Sequence, residues 1–594
     1  MAATAVSPHR SRRKLRKSLP LGLDARLAAS PPRTRVRPAY PLAALLWPAR
    51  NVASQWEVLP PILMVIGLLR WAASLWGYSG YANPPHFGDY EAQRHWMEIT
   101  IHLPTSQWYF YDLEWWGLDY PLLTAYHSHF LGQIGSIINA EWFALDTSRG
   151  FDDPSLKIFM RSTVIISEFL VYIPATIIFL RHYTKLHSVH SWNANVALTA
   201  ILLQPGLILI DHVHFQYNTV MLGLVLACMS SILARRLLWG SVFFVLSLAF
   251  KQMALYYAPA IFAYLLGVCI FPRINYTRFL SIAIITSATF AIIFLPFILG
   301  IIYDVYRGID PHSECSSTSI PQSFAKSSYL LDWHVWYNPI ICQVAQLFHR
   351  IFPFARGLFE DKVANFWCAL NVLIKLRHFP PKLLQQASLV ATTMAILPPC
   401  IVIFTRPRMI ALPLALSTTA WGFFLFSFQV HEKSVLLPLM PMTVLLASSH
   451  GLNKNVRGWV GFANLLAVWT MFPLLQRIEV RIPYYVFCLL WAYLLGLPPT
   501  SLNLYRRDRR PLTWLRLITA SVHGFFYVAI GLWHLLEAFV KPPADKPDLW
   551  VILNVCLGAF GFGLCYLWCL GSLLVECGIF VGKSRVGKAE EKKE

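Results

Sequence analysis

FLSIAIITSATFAIIFLPFILGII, residues 279–302, contains no charged side chain. About twenty predominantly apolar residues in a helix cross the ~30 Å hydrocarbon core of a bilayer. This run is long enough, and Arg273 and Arg278 precede it at one end. Comparable windows start with Pro61–Trp76. They continue near Leu170, Leu202, Leu224, Phe244, Ala263, Ile396, Leu416, Val444, Leu466, Leu490, Phe526 and Leu564. Backbone polar groups in lipid must be satisfied within their own segment. The repeated runs therefore predict an all-α polytopic membrane protein of about fourteen transmembrane helices.

Composition agrees. Of 594 residues, 56% are hydrophobic and 13% charged, against about 25% charged in a soluble domain. A soluble globular fold is excluded on that ground. The net charge of +20 does not indicate nucleic acid, because of where the charge lies. Arg10, Arg12, Arg13, Lys14, Arg16 and Lys17 crowd an N-terminal arm. Arg181 with Lys185, Arg235 with Arg236, Arg406 with Arg408, and YRRDRR (505–510) sit in short loops between apolar runs. That is the positive-inside pattern of a membrane protein, and the arm reads as a cytosolic, lipid-facing segment rather than a cleaved signal peptide. The eleven cysteines show no CxxC pair or zinc spacing and read as small packing residues.

The chain divides into a basic cytosolic arm (1–50), a first transmembrane module (51–302), a long loop (303–385), a second transmembrane module (386–582) and a cytosolic tail (583–594). The loop 303–385 carries a Ser-rich insertion, 309–337, and amphipathic helices. Within it NVLIKLRHF (371–379) is expected to lie along the far interface as one amphipathic helix, which would account for Arg377 on that side. Counting spans from a cytosolic N-terminus places the loop after Trp76 on the far side of the membrane. The sequon INYT (274–277) falls on the cytosolic side and is expected to be unmodified.

Three polar clusters then share that far face. FGDYEAQRHW (87–96) holds Asp89, Glu91, Arg94 and His95, and is followed by Trp115, Trp116 and Asp119. DHVHFQYN (211–218) holds Asp211, His212, His214 and Gln216. SFQVHEK (427–433) holds His431 and Lys433. Ionisable residues at span ends are costly unless they meet water or a partner, so they are functional candidates. Ordinary loop charges and internal salt bridges would show the same letters. Trp115 and Trp116 beside Asp119 suit the face and hydroxyls of a sugar, although an interfacial aromatic belt uses the same residue types. Asp211, His212 and His214 are metal-ligand types without a spacing that sets a geometry, so no metal and no cofactor are expected. No Gly-rich phosphate loop is present, which leaves a lipid phosphate as the sugar donor. Its departing phosphate needs cations, for which His431, Lys433, Arg350, Arg356 and Lys251 are available, and the acceptor hydroxyl needs a carboxylate base.

FGDYEAQRHWMEIT, WGLDYPLLTAYHS, SRGF with MRSTVIIS, LIDHVHFQYNTVMLGL, FKQMALYYAPAIFAYLL, HRIFPFARGLFEDKVANFWC and FSFQVHEKSVLLPL together resemble the endoplasmic-reticulum dolichyl-phosphate-glucose glucosyltransferases. The similarity runs from about Ser54 to Leu475. It implies a GT-C-type bundle with long lumenal loops and its active site in the first module. It also implies α-1,3 transfer of glucose from dolichyl phosphate glucose, with inversion and without a metal, to a dolichyl-diphosphate-linked oligosaccharide. The nonamannosyl acceptor is favoured; the paralogous step that adds a second glucose, and a lipid-linked sugar flippase, are the alternatives. The catalytic base lands on Asp89. Glu91, Arg94, Asp119, Trp115 and Trp116 would bind the acceptor or position the loop. His431, Lys433, Arg356, Arg350, Lys251, Asp211, His212, His214 and Gln216 would meet the donor sugar or phosphate. Val213 and Leu122 depart from residues common in the family, and 308–338 resembles an insertion.

Overall fold

The structure, a computed structural model, describes residues 38–309, 338–352, 362–449, 451, 453–505 and 514–579. Most of the basic arm, the Ser-rich insertion beyond Ile309, Arg356 and the tail 583–594 lie outside the described residues. Every regular element among those described is helical.

Helices of eight residues or more are numbered here. The first half contains α1 (Leu59–Ser74), α2 (Gly88–His102), α3 (Leu122–Ile138), α4 (Pro154–Leu186), α5 (Trp192–Phe215), α6 (Asn218–Leu233), α7 (Leu237–Phe250), α8 (Ala258–Ile270) and α9 (Tyr276–Tyr306). The second contains α10 (Asn338–Ile351), α11 (Phe366–Leu373), α12 (Pro381–Thr405), α13 (Leu412–Phe426), α14 (Leu436–Thr443), α15 (Lys454–Thr470), α16 (Arg481–Leu495), α17 (Trp514–Phe539) and α18 (Leu549–Glu576). Among the described residues eight helices are long and apolar enough to cross a membrane, and four shorter helices are also apolar. The chain is a polytopic membrane protein.

α5 is the axis of the first half. Its most apolar window is buried all round, and a helix that is hydrophobic on every face belongs inside a bundle. α4 and α6 pack on one another, and α6 pairs with α7. α2 packs on α3. α12 and α13 pair in the second half, and α13 packs on α18. α9 and α17 bury little of their most apolar windows and present their sides to lipid.

Two expectations are corrected. NVLIKLRHF is not one helix: α11 ends at Leu373, Ile374 is extended, and Leu376–His378 is a 3-10 turn. Trp367 and Leu376 share one small apolar cluster with Leu384. A continuous helix would put those two side chains on opposite faces, so the break lets both turn inward. The cysteines are not all packing residues either. Cys565, Cys569 and Cys577 are free and buried, but Cys342 on α10 is disulfide-bonded. α10 is the amphipathic helix expected of the long loop. It packs on α9 and on the segment between α2 and α3.

Candidate active site

α2 begins in a turn that only particular residues can make. Gly88 has φ +64°, and a Cβ there would lie 2.6 Å from the Ser79 hydroxyl and 2.8 Å from its carbonyl carbon. Glycine pays neither the left-handed penalty nor this clash. The close approach lets the Ser79 hydroxyl accept from the Asp89 amide at 3.2 Å, while the Ser79 amide donates to the His214 carbonyl at 3.1 Å. Asp89 thus sits in the first turn of α2, where the helix N-terminus favours a negative charge.

Two distant segments meet at its carboxylate. Gln216 Nε2 donates to Asp89 Oδ2 at 2.6 Å, Lys433 Nζ forms an ion pair with the same oxygen, and His214 Nε2 stands 3.9 Å away. Behind Gln216 the bonding continues inward. Lys251 Nζ donates to Gln216 Oε1 at 3.2 Å and to Asn218 Oδ1 at 2.7 Å. Asn218 Nδ2 donates to Asp211 Oδ1 at 2.8 Å, and the Thr219 amide donates to Asp211 Oδ2 at 2.7 Å. Burial acts to raise the Asp89 carboxyl, but Lys433, His214 and Gln216 outweigh it and hold the group well below the usual carboxylate range. Asp89 is therefore an anion at neutral pH, with 23% of its side chain open.

The end of α5 delivers His214 and Gln216 through an unusual backbone. Ile208–Phe215 is π-helical, and Phe215 has φ +90°. Wide turns of this kind recur at functional sites, and a positive φ at an aromatic residue persists only where its surroundings enforce it. Arg161 on α4 supplies that enforcement. Its guanidinium donates to the carbonyls of His212, Val213 and Gly77, and it lies over the Phe215 ring. The last carbonyls of a helix have no partner within it, so one planar cation with several donors ties off this end. His212 turns the other way. Its Nε2 meets Glu168 at 2.7 Å, and Glu168 also accepts two bonds from Arg70 at 2.6 and 2.7 Å. Glu168 opens a second π-helical turn, and Gly223 of α6 packs so closely there that a Cβ would sit 2.7 Å from Tyr172 Cα.

Glu91 and Arg94 face inward rather than into the opening. Arg94 is buried and donates to Glu91, Glu98, Ser148 and the Trp142 carbonyl. Glu98 also accepts from His95 at 3.1 Å and from the Asp146 amide at 2.8 Å. Burial acts to raise Glu98, but His95 and Arg94 outweigh it and bring it down to about 2. These residues therefore fasten α2 to the segment ahead of α4.

Trp115 lies beside His86 and Phe87 at the surface of the same loop, with the Arg149 guanidinium over its ring. Trp116 Nε1 donates to the His86 carbonyl, and its own carbonyl accepts from Trp96 at 3.0 Å. Arg350 of α10 donates to the carbonyls of Gly117 and Leu118, so it braces the turn that leads to Asp119. His431 lies two residues before Lys433, partly exposed. Among the described residues, no group of three or more His, Cys, Asp or Glu could hold a metal ion.

The structure thus gathers Asp89, His214, Gln216, Lys251 and Lys433, with Asp211 behind them and His212 turned away. Sequence reasoning missed Arg161, Glu168, Asn218 and Ser79. A signal for two of them existed: Arg161 and Glu168 are charges inside the apolar run of α4, where a charge needs a reason.

Comparison with known proteins adds to this geometry. The sequence model of the ALG6, ALG8 glycosyltransferase family matches residues 63–312 and 325–570. A Schizosaccharomyces pombe protein described as a probable dolichyl pyrophosphate Man9GlcNAc2 alpha-1,3-glucosyltransferase is 43% identical over 527 residues, covering 88% of this chain and 93% of its own. The Saccharomyces cerevisiae dolichyl pyrophosphate Man9GlcNAc2 alpha-1,3-glucosyltransferase is 42% identical over 568 residues, covering 92% and 97%. The Gallus gallus protein of that description is 36% identical over 524 residues, covering 84% and 93%.

Proposed function

We propose that this chain, which belongs to the ALG6, ALG8 glycosyltransferase family, transfers glucose in α-1,3 linkage to dolichyl-pyrophosphate-linked Man9GlcNAc2 during assembly of the N-glycan precursor. The donor is dolichyl phosphate glucose and the reaction inverts the anomeric carbon. Asp89 is the base. Its carboxylate takes the proton of the acceptor mannose hydroxyl, and the oxygen attacks the anomeric carbon from the face opposite the phosphate. The bond from that carbon to the phosphate oxygen breaks, and dolichyl phosphate leaves with the electron pair. Lys433 and His431 stand where the departing charge needs compensation. Gln216 and Lys251 orient the carboxylate. Trp115, Trp116 and Asp119 line the side from which the glycan approaches, and Arg350 steadies that side.

One observation carries this reading: Asp89 is bonded at the same oxygen by residues 127 and 344 positions away in the chain. Loop charges gathered without a common task have no reason to converge on one partly open carboxylate. The names of the relatives support the Man9GlcNAc2 acceptor over the monoglucosylated one. The eight long helices and four shorter apolar ones, with the segments around Val444 and Leu466, support about fourteen spans. The basic loop clusters support cytosolic termini and a site in the lumen of the endoplasmic reticulum.

The test uses microsomes that carry this chain as their source of the activity, radiolabelled dolichyl phosphate glucose, and acceptors bearing no glucose or one glucose. Transfer to the unglucosylated acceptor alone is expected. Transfer to the monoglucosylated one alone, or movement of donor across the membrane without transfer, overturns the assignment. D89N is expected to lower turnover about 10²–10⁴-fold, the contribution of a positioned base; near-normal turnover removes Asp89 from that role.

A further inference from the structure

The two halves of the Asp89 environment differ in kind. The inner half is closed: Gln216, Lys251, Asn218 and Asp211 are buried and each is bonded to the next. The outer half is a single cation. Lys433 keeps 21% of its side chain exposed, Asp89 keeps 23%, and their ion pair stands at the opening of the site. Lys433 lies in the 3-10 turn Glu432–Val435 that leads into α14. Its ammonium ends a flexible stem, whereas the amide of Gln216 is held on both its oxygen and its nitrogen.

We propose that Lys433 is an exchangeable lock on the base: it pairs with Asp89 in the empty enzyme and passes to the phosphate of the lipid-linked sugar when donor binds. This rests on the assignment of Asp89 as base. A carboxylate paired with an ammonium is a poor proton acceptor, and Lys433 is the leading charge holding Asp89 below its usual range. An approaching lipid phosphate carries a negative charge of its own and competes for that ammonium. Once the lysine has moved, Asp89 retains its orientation through Gln216 and its place at the start of α2, and it regains basicity. Basicity therefore appears only with donor in place. The order of binding follows, with donor first and acceptor deprotonated after. The transfer itself is unchanged: the hydroxyl proton goes to Asp89, the electron pair of the broken bond leaves with dolichyl phosphate, and the Asp89 proton is afterwards released to water while Lys433 returns.

The exchange makes a prediction that the base assignment alone does not. Donor-site binding must break the Lys433–Asp89 pair, so removing Asp89 should help the lipid phosphate bind. Dolichyl phosphate, which carries the phosphate without the sugar, is the probe, with its Kd measured on purified full-length protein in detergent–lipid micelles. D89N is expected to tighten binding about fivefold, the upper range for a partly exposed ion pair. K433Q is expected to weaken binding, and D89N added to K433Q should give no further gain. Unchanged or weaker binding in D89N, or a gain that persists in the K433Q background, overturns the lock. Turnover of D89N is read separately: lost turnover without tighter binding keeps Asp89 as base and rejects the lock, and retained turnover rejects the base. Should D89N not yield a monodisperse sample, D89S removes the carboxylate in the same cycle.

Discussion

Arg161→Met is the substitution by which the architecture beneath the Asp89 carboxylate is most directly tested. Arg161 is buried on α4, and among its contacts are three carbonyls: His212, Val213 and Gly77. Methionine fills much of the same space and donates nothing. A buried carbonyl left without a donor costs about 1–3 kcal/mol, so three set an upper range of roughly 3–9 kcal/mol. Relief from burying a guanidinium offsets part of this, and a net loss of ~3 kcal/mol is expected. The damage is directional. His212 and Val213 lie in the π-helical end of α5, just before Phe215 at φ +90°. Without Arg161 that residue relaxes, and Gln216 no longer meets Asp89. A displacement of about 1 Å in such a group is enough for a 10²-fold fall in kcat. Arg161→Lys should fall between, because one ammonium on a flexible stem cannot span three carbonyls as a planar fork does. The assay pairs thermal unfolding of purified protein with single-turnover transfer at saturating donor and acceptor. Arg161→Met with an unchanged melting temperature and unchanged turnover would refute the claim that this arginine holds the end of α5. A lower melting temperature with full turnover would leave Arg161 stabilising the fold but not the geometry around the Asp89 carboxylate.

Two further outcomes are expected. Gly88→Ala places a Cβ 2.6 Å from the Ser79 hydroxyl at a backbone φ of +64°, and the left-handed conformation adds about 1–2 kcal/mol; turnover should fall more than donor affinity, and equal effects on both would count against it. Glu98 titrates at about 2 in the folded protein and at 4.5 ordinarily, a depressed carboxyl whose stabilisation is complete above about pH 4.5 and is lost as pH falls toward 2. The melting temperature should therefore decline across that window, and Glu98→Gln should flatten the decline; an unchanged slope in the variant would show that Glu98 does not anchor the loop.

Helical, membrane-spanning character was legible in the letters because lipid imposes a local rule. A run such as 279–302 carries its own evidence, since each backbone group must be satisfied within the run. The three polar clusters were legible for a related reason: charge at the end of an apolar run is rare enough to attract notice. Their partners were less so. In FGDYEAQRHW the letters leave Glu91 and Arg94 to bind the acceptor or to position the loop, and only the contacts show Arg94 turned inward to Glu91, Glu98, Ser148 and Trp142. His212 and His214 are two positions apart, and the wide turn at the end of α5 sends one to Glu168 and the other toward Asp89.

By itself, then, the sequence determined the solvent in which this chain folds, the helical form of its elements and the carboxylate around which chemistry could gather. Hydrophobicity and helix length act within twenty or so residues, and one sequence displays them in full. Only the tertiary structure decided which cations and amides that carboxylate faces. Gln216 and Lys433 reach Asp89 from separate segments, with Lys251 bonded behind Gln216, and where a side chain points there depends on a π-helical turn, a buried arginine and a glycine contact. Such features arise from packing between distant segments, and no local pattern of residues encodes them.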